Sequence, residues 1–167
     1  MHVLVTGASG SGTTTLGQAL ATKFGVTFVD ADDFFWLPTE PPFREKRDRE
    51  ERLSLMLKSL SSPAGTVVAG SIVGWGKEIE DAFGLIVFLQ VPAEVRIPRL
   101  RERELARLGR VDEQFIAWAA QYDVGSMEGR SLARQLAWLE ARRCKVLRLS
   151  GVAPVSEWVS AVSQQLP

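Results

Sequence analysis

The chain has a single cysteine, Cys144, a single histidine, His2, and a single tyrosine, Tyr122, among 167 residues. One cysteine excludes an internal disulfide, and one cysteine with one histidine excludes a Cys/His zinc cluster. A histidine-dependent catalytic triad would have to draw on His2, which lies in the first strand pattern. Neither sign of charge is in excess, with 20 Lys and Arg against 20 Asp and Glu. A dedicated nucleic-acid binder usually carries a basic surplus. The apolar run Leu85–Leu89 is far below the roughly 20 residues a membrane-spanning helix needs. No secretory leader is expected, because the chain begins directly in a strand pattern. The expectation is a cytoplasmic protein with neither a membrane nor a nucleic-acid partner, a monomer or a homodimer. With 46% hydrophobic residues, residues 1–167 are enough for one domain with its own core.

What is present is an alternation of two periods. Met1–Thr6, Val26–Val29, Thr66–Ala69, Leu85–Val91 and Lys145–Leu149 read as strands. Between them, apolar residues recur at helical spacing. The segment Gly12–Phe24 carries Leu16, Ala19, Leu20 and Phe24. A charged helix is expected from about Arg44, with Leu53, Met56, Leu57 and Leu60 on its apolar face. Ala93–Leu108, Asp112–Gln121, Ser131–Arg142 and a last helix opened by Pro154 complete the set. Strand and helix in strict alternation imply an α/β fold, a five-stranded parallel sheet sandwiched by helices. Ligands of such folds bind at the carboxyl ends of the strands. Gly7, Asp30, Asp32, Gly70 and the segment after Val91 fall there.

The first turn reads Gly7-Ala8-Ser9-Gly10-Ser11-Gly12-Thr13-Thr14-Thr15. It has the glycine spacing of a phosphate-binding P-loop, G-x-x-x-x-G-K-[ST], and lies between a strand and a helix. Backbone N–H groups and the helix N-terminus of such a loop hold phosphate, and Thr14 fills the position whose hydroxyl ligates Mg²⁺. The nucleotide-binding set is therefore Gly7, Ser9, Gly10, Ser11, Gly12, Thr13, Thr14 and Thr15. Thr13 stands where the pattern has lysine, so the loop lacks the charge that normally spans the β- and γ-phosphates. Another cation replaces it, or turnover is slow, or the loop binds nucleotide without transferring phosphate. Lys23 and Lys46 are further replacements, although helix geometry points Lys23 away. A plain strand-to-helix turn is the ligand-free alternative. The start of the same run, Thr6-Gly7-Ala8-Ser9-Gly10, also resembles NAD(P)-dependent short-chain reductases. Their third glycine would be Thr13, and the residue four after Tyr122 is Ser126 rather than lysine.

The aromatic segment Phe34, Phe35, Trp36, Phe43, together with Arg44 and Arg47, suits a planar or anionic acceptor. Trp118, Trp138 and Trp158 fall at core-like helical positions, with no ligand role expected.

On the Gly7–Gly17 run GASGSGTTTLG, the chain resembles P-loop kinases of the nucleoside monophosphate kinase, shikimate kinase and gluconate kinase group. More closely it resembles bacterial proteins labelled adenylate kinase or AAA-family ATPase that carry the same threonine. A full-size AAA module is not expected at this length. The resemblance implies ATP and Mg²⁺ as cofactors, a nucleotide or small metabolite as acceptor, an acceptor region at about 32–62 and an arginine-rich lid at about 96–130. It assigns Asp30 to the metal and Asp32 to the acceptor hydroxyl, with Asp33 in support or serving only as a helix cap. It assigns Gly70 to acceptor contact, Arg99 and Arg103 to the lid by their shared helix face, and Arg130 and Arg134 to the returning helix. It places Gly151–Val155 against the base. Two functions remain open beside the remote reductase: a phosphotransferase, and a nucleotide-binding or sensing module with little transferase activity.

Overall fold

The computed structural model describes residues 1–125 and 130–166. Strand β1 (His2–Gly7) runs into the glycine-rich turn and helix α1 (Thr13–Phe24). Gly25, in the left-handed region, ends α1 by donating its N–H to Ala21 and Thr22 carbonyls. Strand β2 (Thr27–Asp30) passes directly into a short helix α2 (Ala31–Phe35). Helix α3 (Arg49–Leu60), strand β3 (Thr66–Ala69) and a single turn α4 (Lys77–Glu80) follow. Strand β4 (Leu85–Gln90) leads into α5 (Ala93–Leu108) and α6 (Glu113–Ala120), and a 3-10 turn covers Tyr122–Val124. Helix α7 (Leu132–Glu140), strand β5 (Lys145–Ser150) and helix α8 (Val155–Ser163) close the chain.

The five strands form one sheet in the order β2-β3-β1-β4-β5, and every pairing is parallel. This is the expected architecture, and its cause is visible in the pleat. Leu4, Val68, Ile86 and Phe88 face one side, against Met56 of α3, Ile79 of α4 and Trp138 of α7. Val3, Val5, Val67, Val87 and Leu89 face the other, against Leu16 and Leu20 of α1 and Trp158 and Val162 of α8. Both faces are covered, so the central strands read as continuous apolar runs. Fully burying one such side chain contributes about 1.5–3 kcal/mol.

One sequence-based boundary and one face assignment are corrected. The charged helix begins at Arg49, not near Arg44, because Asp48 caps it by accepting from the Glu50 and Glu51 amides at 2.8 and 3.2 Å. Leu57, expected on its apolar face, is exposed. The residues before the cap return along the loop instead, and Trp36 bridges antiparallel to Lys46. Helix α2 and the turn α4 were not foreseen, since segments of five and four residues show too little periodicity to register.

The sheet fixes where chemistry can occur. From β1 the chain moves to β2 on one side, and from β3 it crosses β1 to β4 on the other. Gly7 pairs with Leu89, and Asp30 with Ala69. The crevice at the carboxyl edge therefore opens between the P-loop and the β2–α2 junction. Among the described residues, no helix is long and apolar enough to cross a membrane.

Candidate active site

The turn after β1 is shaped for an anion. A Cβ at Gly7 would lie 2.6 Å from the Leu89 carbonyl oxygen, so the neighbouring strand excludes a side chain there. Gly12 holds a left-handed conformation, φ 94°, at the N-cap of α1 and has no side chain to fill the space above the helix. The amides of the first turn of α1 have no intrahelical partner, so those of Thr13, Thr14 and Thr15 open toward the loop. Ser11 Oγ is buried without a hydrogen-bond partner among the described residues. These groups fit a bound phosphate chain.

The loop forms one wall of an open cleft of about 1940 Å³, lined by residues 8–15 with Asp30, Asp32, Asp33 and Gly70. Thr14 donates its hydroxyl to Asp30 Oδ2 at 3.0 Å. Asp30 Oδ1 accepts the Asp32 amide at 3.0 Å and thereby caps α2. One carboxylate thus holds the start of the acceptor loop and touches the hydroxyl of the P-loop. Asp30, rather than Asp33, is the helix cap. Thr14 and Asp30 supply two hard oxygen donors, the number a Mg²⁺ ion shared with phosphates and water usually takes from protein.

Asp32 stands in the cleft with its carboxylate open to solvent, yet protein surrounds most of it. Its pKa is raised, first by this desolvation and then by the negative charge of Asp30, with Arg130 and Arg103 pulling the other way. A carboxylate at the floor of a cleft can touch water on one side while the protein on the others limits its hydration, so exposure and desolvation coexist here. Asp33 is raised by the same two causes and opposed by Arg107.

The arginines separate by contact. Arg99, Arg103 and Arg107 lie along one face of α5 at i, i+4 and i+8, and all line the cleft. Arg44, Arg130 and Arg134 line it as well. Arg130 donates from Nη2 to the Gly7 carbonyl at 2.8 Å, while its Nε is buried and unpartnered among the described residues. Burial lowers its pKa and the Asp32 charge opposes that shift. Arg47 corrects the sequence reading. It does not line the cleft but donates from Nε to the Phe34 carbonyl at 3.2 Å and pairs with Glu51 at 2.6 Å, so it clamps α2 to α3. Arg96, first of the arginine series, is wholly buried. It donates to the carbonyls of Val91 (2.8 Å), Ser9 (3.1 Å) and Ala119 (3.5 Å) and pairs with Asp123 at 2.8 Å.

Sequence reasoning missed three features. Arg52 lies 4.7 Å from the ring centres of both Phe35 and Trp75, two residues that line the cleft. Its partners lie 17 and 23 residues away in the chain, so no local spacing signals the contact. Glu80 is a buried hub, accepting from the Gly74 and Gly76 amides and from Trp138 Nε1, and pairing with Arg142. It fixes the loop that carries Trp75. Trp118, for which no ligand role was expected, is half-buried against two clusters of buried residues, as its helical spacing implied, but also lines the cleft beside Phe115, with which it stacks at 5.9 Å. Trp158 is buried but also reaches the cleft edge, with Ala153 and Val155. Lys23 is exposed and absent from the cleft lining, as its helix position implied, while Lys46 lines it. Part of the expected lid, residues 126–129, lies outside the described residues.

A family model described as an AAA domain matches residues 3–115. The chain belongs to this family. The matched span of this AAA-domain family runs from β1 into α6, short enough to sit beside the expectation that a full-size AAA module would not fit. The chain is 36% identical to the uncharacterized protein YqaC of Bacillus subtilis (strain 168), over 99% of this chain and 96% of that one. Shikimate kinase 2 of Sodalis glossinidius is 28% identical over 99% of this chain and 95% of its own length. Shikimate kinase 2 of Serratia proteamaculans is 30% identical over 60% and 63%. Two solved structures share the fold at a TM-score of 0.64. One is the shikimate kinase of Bacteroides thetaiotaomicron, 19% identical, covering 99% of this chain and 98% of that chain. The other is that of Acinetobacter baumannii in complex with shikimate, 17% identical, covering 99% and 92%. The fold is thus that of a P-loop kinase of the shikimate kinase type.

Proposed function

We propose that this protein is a P-loop phosphotransferase that moves the γ-phosphate of ATP to a hydroxyl of a small acceptor. The observation that carries this reading is the hinge between phosphate loop and acceptor loop: Thr14 bonded to Asp30, and Asp30 bonded to the amide of Asp32, all on one cleft. The triphosphate would rest on the α1 N-terminus, and Mg²⁺ would be held by Thr14 and Asp30. The ion would supply charge neutralisation on the phosphates. Asp32 then faces the acceptor, where it orients the hydroxyl and takes its proton. The acceptor oxygen forms the new P–O bond, the bond between the β–γ bridging oxygen and the γ-phosphorus breaks, and ADP leaves with that electron pair. Arginines from α5 and Arg130 balance the charge, and most of the acceleration comes from positioning and electrostatics.

Phe35, Trp36 and Phe43 line the acceptor end with Arg44, Lys46 and Arg107. Arg107 lies 4.8 Å from the Phe43 ring centre, and Lys46 5.8 Å from that of Phe35. This mixture supports a planar or anionic acceptor, a nucleotide or a small metabolite. The reading needs no nucleic acid, no membrane and nothing beyond a cytoplasmic monomer or homodimer. Replacing Asp32 by Ala is expected to abolish phosphate transfer across an acceptor panel and leave ATP binding nearly unchanged. Equal transfer by both proteins would refute the assignment.

Thr13 favours a second reading, a nucleotide-binding module with little transferase activity. ATP binding without transfer to any acceptor, turned into transfer by Thr13→Lys, would support it. The shikimate-kinase-type sheet stands against the reductase.

A further inference from the structure

The loop needs a positive charge that its own sequence does not provide. Thr13 is neutral, and the α1 dipole amounts to about half an elementary charge. Two guanidinium groups among the described residues reach the loop backbone, Arg96 at Ser9 and Arg130 at Gly7. They differ in what they have left to give. Arg96 has no exposed surface, spends its donors on three carbonyls and is paired with Asp123. It is a strut between the loop, α5 and the 3-10 turn. Among the described residues Arg130 makes one hydrogen bond, to the carbonyl of the loop's first residue, and its buried Nε has no partner; it also lines the cleft.

The position of Arg130 is set by the fold. It immediately precedes Ser131, the N-cap of α7, whose hydroxyl accepts the Arg134 amide at 3.2 Å. The α7 start therefore delivers a side chain to a residue 123 positions earlier in the chain. A guanidinium has five N–H donors in a planar fork, so one bond to Gly7 anchors it and leaves others for phosphate oxygens. A simple staple between α7 and β1 would not require the residue also to line the cleft.

We propose that Arg130 supplies from elsewhere in the same chain, at the start of α7, the phosphate-binding charge that a P-loop otherwise takes from lysine at position 13. Resting on the phosphotransferase reading, this role makes Arg130 a contact of the terminal phosphates of ATP rather than of the acceptor alone. It also explains how the loop tolerates threonine: the charge has moved in sequence but not in space.

The test is relocation of the charge. MgATP and MgADP are titrated calorimetrically into wild type, Arg130→Gln, Thr13→Lys and the double variant, with thermal unfolding followed in parallel. Arg130→Gln is expected to weaken MgATP by on the order of ten- to a hundredfold, the worth of a charge-assisted bond. MgADP should weaken less, and Thr13→Lys in the same chain should restore the preference for ATP. A purely structural arginine would not be rescued by a lysine at position 13. Unchanged ATP affinity in Arg130→Gln, or a loss that Thr13→Lys does not repair, overturns the proposal and leaves the phosphotransferase reading standing. Wild-type protein that binds neither nucleotide overturns both. Should Arg130→Gln fail to fold, the Arg130 Nε–H resonance of the wild type, assigned through Arg130→Lys, decides. It should shift with MgATP and shift less with MgADP, and no movement with ATP overturns the role.

Discussion

At the level of single residues, Asp32 shows how function and stability oppose each other. Its raised pKa means the folded protein binds a proton more tightly than the unfolded chain. Stability contributed by this group is therefore full at acid pH and declines as pH rises through its pKa. In protein free of nucleotide and metal, Asp32→Asn should raise the melting temperature at neutral pH. That gain should shrink toward nothing below about pH 4, where an ordinary aspartate also protonates. A melting temperature unchanged or lowered at neutral pH would show that Arg130 and Arg103 outweigh the desolvation and the Asp30 charge. The cleft positions of Asp30, Asp32, Arg99 and Arg103 were legible because strand ends and helix faces follow from periodicity, whereas their roles came only from the family resemblance. Arg47 was not, because the choice between a cleft and the Phe34 carbonyl depends on the path of a loop. Trp118 was legible in part: helical spacing says that it faces inward, where it packs on buried side chains, but not that it also borders a cavity.

Among the elements, the loop between β3 and α4 depends on a single carboxylate. Glu80 satisfies two glycine amides and the Trp138 indole, and its pair with Arg142 spans 3.2 Å. Glu80→Ala removes the acceptor from all of them and should destabilise the protein by about 3–5 kcal/mol, the cost of breaking a buried pair. Chemical denaturation measures this directly, and a change under 1 kcal/mol would show that water replaces the carboxylate (an ordinary surface substitution costs about ±0.5 kcal/mol). The same variant frees Trp75 and with it the Arg52 stack. Nothing in the local sequence marks Glu80 as buried, since its partners arrive from α7 and the glycine turn. The strands and α1 and α8, by contrast, were legible almost residue by residue, because each presents an apolar face to the same core.

At the scale of the whole molecule, the alternation of strands and helices was enough to imply a parallel sheet, and the sheet order puts the P-loop opposite the Asp30–Asp32 segment. What the alternation did not reveal is the pairing of distant parts around that crevice: α5 arginines facing Asp32 and Asp33, and the α7 start reaching Gly7. These contacts join residues far apart in the chain, and no local pattern encodes them. They are nevertheless what makes a lysine-free loop credible as a triphosphate site. The most direct measurement is a calorimetric titration of the wild-type protein with ATP, with and without Mg²⁺. Micromolar binding that strengthens with Mg²⁺ is expected from the Thr14–Asp30 pair and the cleft arginines. No heat of binding with either ATP or GTP would contradict the central claim that this loop holds a nucleotide.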